Sequence, residues 1–311
     1  MEYHFPKPPR GLKGKVAIVT GAGAAGDGIG NGRAAAILMA DDGCAVVCVD
    51  LDIALAQRTV EMIEAEAVGR GRGEETGRPP RATALAADVS IESDCKRIVD
   101  TTLSTYGRVD ILVNSVGIGG TPGTAETVDM ASWTKSMEIN VSSMVMMAKY
   151  AIPAMARNDD DHHPSESSPS GMTGSRPGYG YKGSIVNMAS VAGIRGGTPH
   201  LLYPTSKGAV VNMTRAMAAH HAAQGIRVNC VCPGMVYTPM MYERGMTDEA
   251  REARKNRSLL KTEGNGWDVG CAVRFLAGPD SRWMTGVILP VDAGATCAVG
   301  TDLPSTASVN G

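Results

Sequence analysis

Apolar residues gather in seven short runs: Lys15–Thr20, Ala45–Asp50, Ala82–Ala87, Val109–Asn114, Gly183–Ala189, Arg227–Val231 and Val287–Val291. They are nearly continuous rather than alternating, which is the pattern of strands buried on both faces. Between them, stretches with helical spacing lie at about 30–41, 53–67, 91–106, 132–156, 202–223 and 267–277. Each parallel strand-to-strand crossover is right-handed and needs a helix to make it. The alternation therefore predicts an α/β fold, a doubly wound parallel sheet of about seven strands flanked by helices on both faces (Rossmann-like). Residues 12–296 read as one domain, with tails at 1–11 and 297–311.

Two segments break the rhythm. Val68–Pro80 is rich in Gly, Arg and Glu and reads as a loop. Residues 158–182, NDDDHHPSESSPSGMTGSRPGYGYK, are polar and aperiodic, too poor in apolar area to offset the entropy of ordering them. They predict a disordered surface insertion. His162 and His163 follow three aspartates there, but a solvated hairpin tip accounts for them better than a metal site does.

Composition narrows the function classes. Of 311 residues, 43% are hydrophobic and 4% aromatic, so the core is aliphatic, as helices packed on a parallel sheet require. A formal net charge of -2 gives no overall basic field for nucleic acid or anionic lipid. Four arginines fall within Gly69–Arg81, but Glu74 and Glu75 sit among them, which reads as a solvated loop. No apolar run has the length of a membrane span, and residues 1–14 lack the apolar stretch of a secretory signal. The seven cysteines are odd in number, and none form a C-x-x-C pair. Cys44, Cys48, Cys230 and Cys232 fall in strand-like runs and read as buried free thiols of a reducing compartment, the cytoplasm. No metal site is predicted.

The first strand runs directly into Gly21-Ala22-Gly23-Ala24-Ala25-Gly26-Asp27-Gly28-Ile29-Gly30, with a helix behind it. A glycine-rich turn there lets backbone approach a pyrophosphate, and the helix N-terminus offers it free N–H groups. Asp50, ending the second strand, stands twenty residues past Gly30, the spacing of an acid that hydrogen-bonds an adenosine ribose. A carboxylate there favours the 2′-OH of NAD over the 2′-phosphate of NADP. Asp27 and Leu51 occupy places where a phosphate-binding cation would stand, and Arg33 is the nearby cation that could reverse the preference.

Candidate chemistry sits further on. Tyr203 and Lys207 are four apart, which puts both on one face of a helix. A phenol, with a reference pKa of about 10, is a poor acid or base near neutrality, and a neighbouring ammonium favours its ionised form. Ser190, at a strand end thirteen residues upstream, is placed to hydrogen-bond the same reacting oxygen. Together these residues suit proton exchange with a carbonyl or secondary alcohol.

In its ordered set of motifs the chain resembles the short-chain dehydrogenases/reductases of the single-domain kind, over roughly residues 12–296. The matching pieces are T-G-x…G-I-G at 20–30, Asp88-Val89, N-S-V-G at 114–117, Asn140 in E-I-N-V, Ser190, Y-P-T-S-K at 203–207 and P-G-M-V-Y-T at 233–238. The resemblance implies that Ser190 positions the substrate oxygen, Tyr203 exchanges its proton, and Lys207 lowers the pKa of Tyr203 and grips the nicotinamide ribose. It implies that Asn140 sits at a helix interruption and holds a water leading from Lys207 to solvent. For the cofactor it implies Gly21, Gly28, Ile29 and Gly30 at the pyrophosphate and Asp88 and Val89 at the adenine. It further implies Asn114 and Gly117 at the central strands, and Pro233, Gly234, Val236 and Thr238 toward the carboxamide. For Asp88 and Asn114 an ordinary strand-end cap or turn explains the residue equally well.

The chain departs from the family in its loop. Six residues separate Gly21 from Gly28 where three are usual, and Asn31-Gly32 reads as an addition before the helix proper. Gly26-Asp27-Gly28 and Gly30-Asn31-Gly32 are therefore alternative registers. The segment Met235–Lys261 reads as a lid, and its methionines, with Tyr242, either favour an apolar or cyclic substrate or simply pack. His200 either contacts substrate or ends a loop. Ala209, Ala216, Ala219 and Ala223 form a small-residue face that either joins subunits of a dimer or tetramer or packs on the sheet. The expected function is hydride transfer between NAD(H) and a small alcohol or ketone. A non-redox isomerase, cyclase or lyase on this scaffold and a nucleotide-sensing protein are the alternatives.

Overall fold

Seven continuous apolar runs give seven strands, paired in parallel throughout: β1 (Val16–Thr20), β2 (Ala45–Asp50), β3 (Ala82–Ala86), β4 (Ile111–Asn114), β5 (Gly183–Met188), β6 (Ile226–Pro233) and β7 (Ile288–Val291). The computed structural model describes residues 10–69, 79–158, 181–243 and 245–298. The strand order is β3-β2-β1-β4-β5-β6-β7, so the chain reverses its direction of travel across the sheet between β1 and β4. Ligands of open α/β sheets bind beyond the carboxyl ends of the strands at such a reversal. Register places Thr20 beside Asn114, Asn114 beside Asn187 and Asn187 beside Cys230, in one row near that rim.

The helices are α1 (Asn31–Asp41), α2 (Ile53–Gly69), α3 (Glu92–Tyr106), α4 (Met130–Met137), α5 (Ser143–Met155), α6 (Leu202–His221), α7 (Pro239–Tyr242), α8 (Asp248–Lys255) and α9 (Gly266–Ala277). The period-two alternation of strand side chains divides the core between the two faces. Ala17, Val19, Val46, Val113 and Val186 pack with Ile37 of α1, Ile63 of α2 and Val273 of α9. Ile18, Val47, Leu112 and Ile185 pack on the other face with Ile98 of α3, Met147 of α5 and Met217 of α6. β1, β4 and β5 are buried along their whole length, whereas the edge strands β3 and β7 are half-exposed. Pro290, which donates nothing to a ladder, accordingly lies in edge strand β7.

Most boundaries shift from the sequence reading by one or two residues, and four differences carry a physical reason or a contact. The stretch expected as one helix over 132–156 starts at Met130 and is interrupted by a π turn, Glu138–Ser142, between α4 and α5. β6 runs from Ile226 to Pro233, longer than expected, because β7 pairs with its far end through Pro233 and Val291. Val68 and Gly69 belong to α2 rather than to a loop. Asn31 and Gly32 form the first turn of α1, not an addition before it. Gly32 is there for contact: a Cβ on it would stand 2.1 Å from the Gly21 carbonyl oxygen.

The amino rim of the sheet is a polar knot. Asp110, 4% exposed, accepts from the Val16 amide (2.9 Å) and pairs with Arg108 and Lys15. Asn158 Nδ2 donates to the carbonyls of Val109 (2.7 Å) and Lys182 (2.9 Å). The two flanks of the 158–182 segment thus meet at this rim, opposite the carboxyl ends, while its interior, with His162 and His163, lies outside the described residues.

Candidate active site

The carboxyl end of β5 leads through Ala189 to Ser190, whose extended backbone (φ -170°) turns the chain into a 3-10 turn, Val191–Gly193. Ser190 Oγ accepts from the Ala192 amide at 3.1 Å, which fixes the hydroxyl, and the residue is 8% exposed. A Cβ on Gly193 would stand 2.5 Å from the Lys207 carbonyl carbon, so this turn packs directly on α6. Tyr203 and Lys207 lie one helical turn apart in the first half of α6. Lys207 Nζ lies 5.8 Å from the centre of the Tyr203 ring and donates to the Met188 carbonyl at 2.9 Å. A Cβ on Gly117 would come 2.9 Å from the same Nζ, so glycine there leaves the ammonium its room.

Asn140 is fully buried in the π turn. Its Oδ1 accepts from the Ile118 amide (2.8 Å), and its Nδ2 donates to the Ile118 carbonyl (3.0 Å) and Ser206 Oγ (3.0 Å). Both amide hydrogens are therefore committed to protein, which leaves one lone pair on Oδ1 for any further partner. Ser206 in turn donates to the Tyr203 carbonyl at 2.9 Å, joining the π turn to the first turn of α6. Sequence reasoning passed over Ser206, although it sits between Tyr203 and Lys207 in Y-P-T-S-K. It also missed that Cys230 and Cys232 of β6 face this cluster, with sulfurs 4.0 Å apart. Their i, i+2 spacing on a strand was the available signal.

The charges behave as burial dictates. Desolvation lowers Lys207 to about 8. Burial raises the Tyr203 phenol above its ordinary value, and the Ser190 hydroxyl opposes that rise. The expectation that the adjacent ammonium sets the phenol downward is not met: Lys207 Nζ stands 5.8 Å from the ring centre, and desolvation decides the direction.

On the nucleotide side, Gly30 precedes α1 with no side-chain cap, as is also the case at α3, α6 and α7, whereas Asp129, Thr247 and Asn265 cap α4, α8 and α9. The first amides of α1 are left for an anion. Asp50 Oδ2 accepts from the Gly23 amide at 2.9 Å, and a Cβ on Gly23 would stand 2.7 Å from that oxygen. Gly21 has φ +67°, a left-handed conformation that favours glycine. A Cβ on Gly28 would meet Pro239 and Tyr242 of α7 at 2.4 Å, so α7 lies on the loop beside Ile29 and Gly30. Arg33, considered from sequence as a cation for a 2′-phosphate, is instead 0% exposed and bonded inside the loop.

The remaining residues are placed as follows. Asp88 turns back on Ser90, accepting from its amide (2.9 Å) and hydroxyl (2.7 Å), the cap geometry weighed above. Val89 is buried beside it. Asn114 Nδ2 donates to Asn187 Oδ1 (2.9 Å) across β4 and β5, and Asn187 continues to Thr214 of α6 at 3.1 Å. Pro233 ends β6, Gly234 and Val236 lead away from it, and buried Thr238 precedes α7. His200 accepts from the Gly123 amide at 3.2 Å and so staples the 119–124 loop to the start of α6.

Arg251 of α8 stacks 3.9 Å over Tyr237 and pairs with Glu263, which ties α8 to the segment following β6. Beneath α8 lies a cavity of about 240 Å³ lined by Met235, Arg254, Leu260 and Val291. No group of three or more potential metal ligands occurs among the described residues. The described cysteines are all free, with Cys271 and Cys297 exposed and the other five buried.

With this geometry in view, the kinship is clear. The family profile described as short chain dehydrogenase matches residues 15–163, and one described as Enoyl-(Acyl carrier protein) reductase matches 167–296. Meso-2,3-butanediol dehydrogenase of Serratia marcescens is 31% identical over 92% of this chain and 96% of its own.

The chain belongs to the short-chain dehydrogenase/reductase family.

A crystal structure from Burkholderia xenovorans, provisionally described as a short-chain dehydrogenase/reductase, is 34% identical, with TM-score 0.77 over 93% of this chain and all of that one. A Brucella melitensis structure described as ribose-5-phosphate isomerase is 29% identical, with TM-score 0.72 over 93% of this chain and 95% of that one. As a short-chain dehydrogenase/reductase the protein is an oxidoreductase acting on CH-OH or C=O groups, in a family that uses NAD(P). No helix among the described residues is long and apolar enough to cross a membrane.

Proposed function

We propose that the protein oxidises a small secondary alcohol, or reduces the matching ketone, with NAD as cofactor and Tyr203 as the acid/base. The observation that carries this reading is the meeting of Ser190, Tyr203 and Lys207 at the carboxyl rim, on the same rim as a glycine loop and Asp50. The residues present suit a dinucleotide: an uncapped α1, a carboxylate ending β2, and the room that Gly117 leaves before Lys207. Gly21, Gly28, Ile29 and Gly30 would hold the pyrophosphate and Asp50 the adenosine ribose. Val89, with Asp88, would border the adenine, and Asn114 and Gly117 the centre of the groove. Pro233, Gly234, Val236 and Thr238 would border the carboxamide. When bound, the nicotinamide supplies the hydride acceptor in oxidation and the hydride donor in reduction.

The chain's own residues do the rest. Ser190 Oγ holds the substrate oxygen, and the Tyr203 hydroxyl exchanges a proton with it. Lys207 holds a positive charge beside the ring, which matters most once the phenol ionises, and Asn140 with Ser206 fixes the start of α6 under both. Asp50 favours NAD over NADP by meeting the ribose hydroxyls with a carboxylate.

Met240 is exposed, Met235, Met241 and Met246 are half-exposed, and their apolar surface favours an apolar or cyclic substrate. The Serratia relative, a butanediol dehydrogenase, points to a secondary alcohol as well. Residues 12–296 serve as one catalytic domain in the cytoplasm. Ala216 and Ala219 of α6 and Ala223 just beyond it are exposed, Ala209 is half-exposed, and Val210, Thr214 and Ala218 are buried, so the small-residue face is free to join subunits of a dimer or tetramer.

A second reading, non-redox chemistry on the same site, takes its support from the isomerase description of the Brucella structure. Fluorescence titration with NADH and NADPH, followed by nicotinamide absorbance on addition of secondary alcohols, separates the two. Tight NADH binding with alcohol-dependent reduction of NAD supports the dehydrogenase. Turnover with no absorbance change selects the second reading.

A further inference from the structure

The six residues between Gly21 and Gly28 enclose an interior, and Arg33 fills it. Its Nε donates to Thr59 Oγ1 (2.9 Å), Nη1 to the carbonyls of Gly26 and Gly28 (2.7 Å each), and Nη2 to those of Ala24 (2.7 Å) and Leu55 (3.3 Å). A guanidinium has five N–H donors, and each of these has an acceptor. Thr59 passes the network on, donating to the Ala22 carbonyl at 2.8 Å. The carbonyls of Ala22, Ala24, Gly26 and Gly28, every second residue of the loop, therefore turn toward this one pair of side chains.

In a planar trans peptide the carbonyl of one residue and the amide of the next point in opposite directions. Turning those four carbonyls inward turns the amides of Gly23, Ala25, Asp27 and Ile29 away from the guanidinium. Asp50 already meets the first of them at 2.9 Å. The last leads into the uncapped start of α1. Backbone donors pointing outward over a buried positive charge make a surface suited to a phosphate oxygen.

We infer that Arg33 is a positioning residue for the cofactor, the strut that gives the lengthened loop its phosphate-binding face. Because its donors are spent inside the loop, it is closed to a 2′-phosphate, and it reinforces the choice of NAD instead of reversing it. This inference rests on the proposal that a dinucleotide binds here. It also accounts for the loop's length, since the lengthened arc spans a guanidinium.

The test titrates the wild type, Arg33→Lys and Arg33→Ala with NADH and with NADPH by fluorescence, beside thermal melts. Lysine keeps the charge but has three donors on one atom and cannot reach acceptors arranged as a fork. Both variants are expected to bind NADH about tenfold more weakly or worse, the size of one good hydrogen bond or more. The KM for NAD should rise with the dissociation constant and by more than kcat falls, and NADPH binding should not improve. Should both arginine variants fail to fold, Thr59→Val, which removes the donor to Ala22 and the acceptor of the Arg33 Nε–H but leaves the four Nη bonds in place, is expected to weaken NADH about threefold. Folded variants that bind NADH within twofold of wild type overturn the inference, as does unchanged affinity in a folded Thr59→Val. Stronger NADPH binding by Arg33→Lys overturns the selectivity half. A wild type that binds neither nucleotide overturns the dinucleotide reading beneath it.

Discussion

At the nucleotide side of the carboxyl rim, a length of backbone is gathered around one side chain. The carbonyls of residues 24, 26 and 28 converge on Arg33. At the chemical side the order is inverted, and several side chains reach out to fixed backbone. Asn140 holds Ile118, Ser206 holds the Tyr203 carbonyl, Lys207 holds Met188, and Ser190 receives Ala192. The first arrangement concentrates the shape of a loop in one residue. The second spreads its support over the π turn, β5 and α6, so that a single functional atom can be removed with the shape intact. The two regions should therefore fail differently.

The largest expected effect lies at the chemical side. Tyr203→Phe should lower kcat by about 10³-fold through loss of the exchangeable proton, with NADH affinity within twofold of wild type. Steady-state kinetics beside a fluorescence titration measure both. Most of the activity surviving in that variant would sink the mechanism.

Lys207→Met comes next. Turnover should fall about 10²-fold, yet the protein should gain stability near pH 7. Burial lowers Lys207 from 10.5 to about 8 in the folded chain, so its protonated form costs folding about 3 kcal/mol before the loss of its hydrogen bond to Met188 is set against it. Between pH 8 and 10.5 the unfolded chain holds the extra proton, so this group makes wild-type stability rise with pH across that window. Urea melts of wild type and variant from pH 7 to 10.5 should show the variant's advantage shrinking. A constant difference would show that the lysine is not desolvated.

Asp50→Ala should narrow the NADH-over-NADPH preference by about tenfold, a single charge-assisted hydrogen bond's worth, in paired titrations. If the wild type already prefers NADPH, the carboxylate is not the selector. The smallest effect is expected at His200, whose bond to Gly123 is exposed. His200→Ala should change kcat by less than about twofold and cost about 1 kcal/mol in a denaturant melt. A larger fall in kcat would make it a substrate contact.

The same contrast explains what could be read in advance. Strands such as Val16–Thr20 announce themselves because burial on both faces demands unbroken apolar residues. Tyr203 and Lys207 were legible because helical periodicity fixes their common face whatever surrounds them. Arg33 was not. A sequence shows a cation near a phosphate loop, but only the fold shows that the guanidinium faces the loop's carbonyls and not solvent. The π turn at Glu138–Ser142 was announced only by the family resemblance at Asn140, since one residue of slippage leaves no mark on a helical pattern already rich in Met and Ser. Cys230 and Cys232 looked like ordinary strand residues because their nearness to Lys207 depends on how α6 lies over β6.

Asn158 carries a consequence for engineering. Its amide ties Val109 to Lys182, pinning the flanks of a polar segment together at the end of the sheet farthest from Tyr203. Closure entropy grows only slowly with loop length once the two flanks are fixed, each doubling costing about 0.6 kcal/mol. The position is thus a ready-made splice point, where a fluorescent reporter or affinity handle can replace residues 160–178 and report on folding or capture the enzyme while catalysis proceeds at the opposite rim.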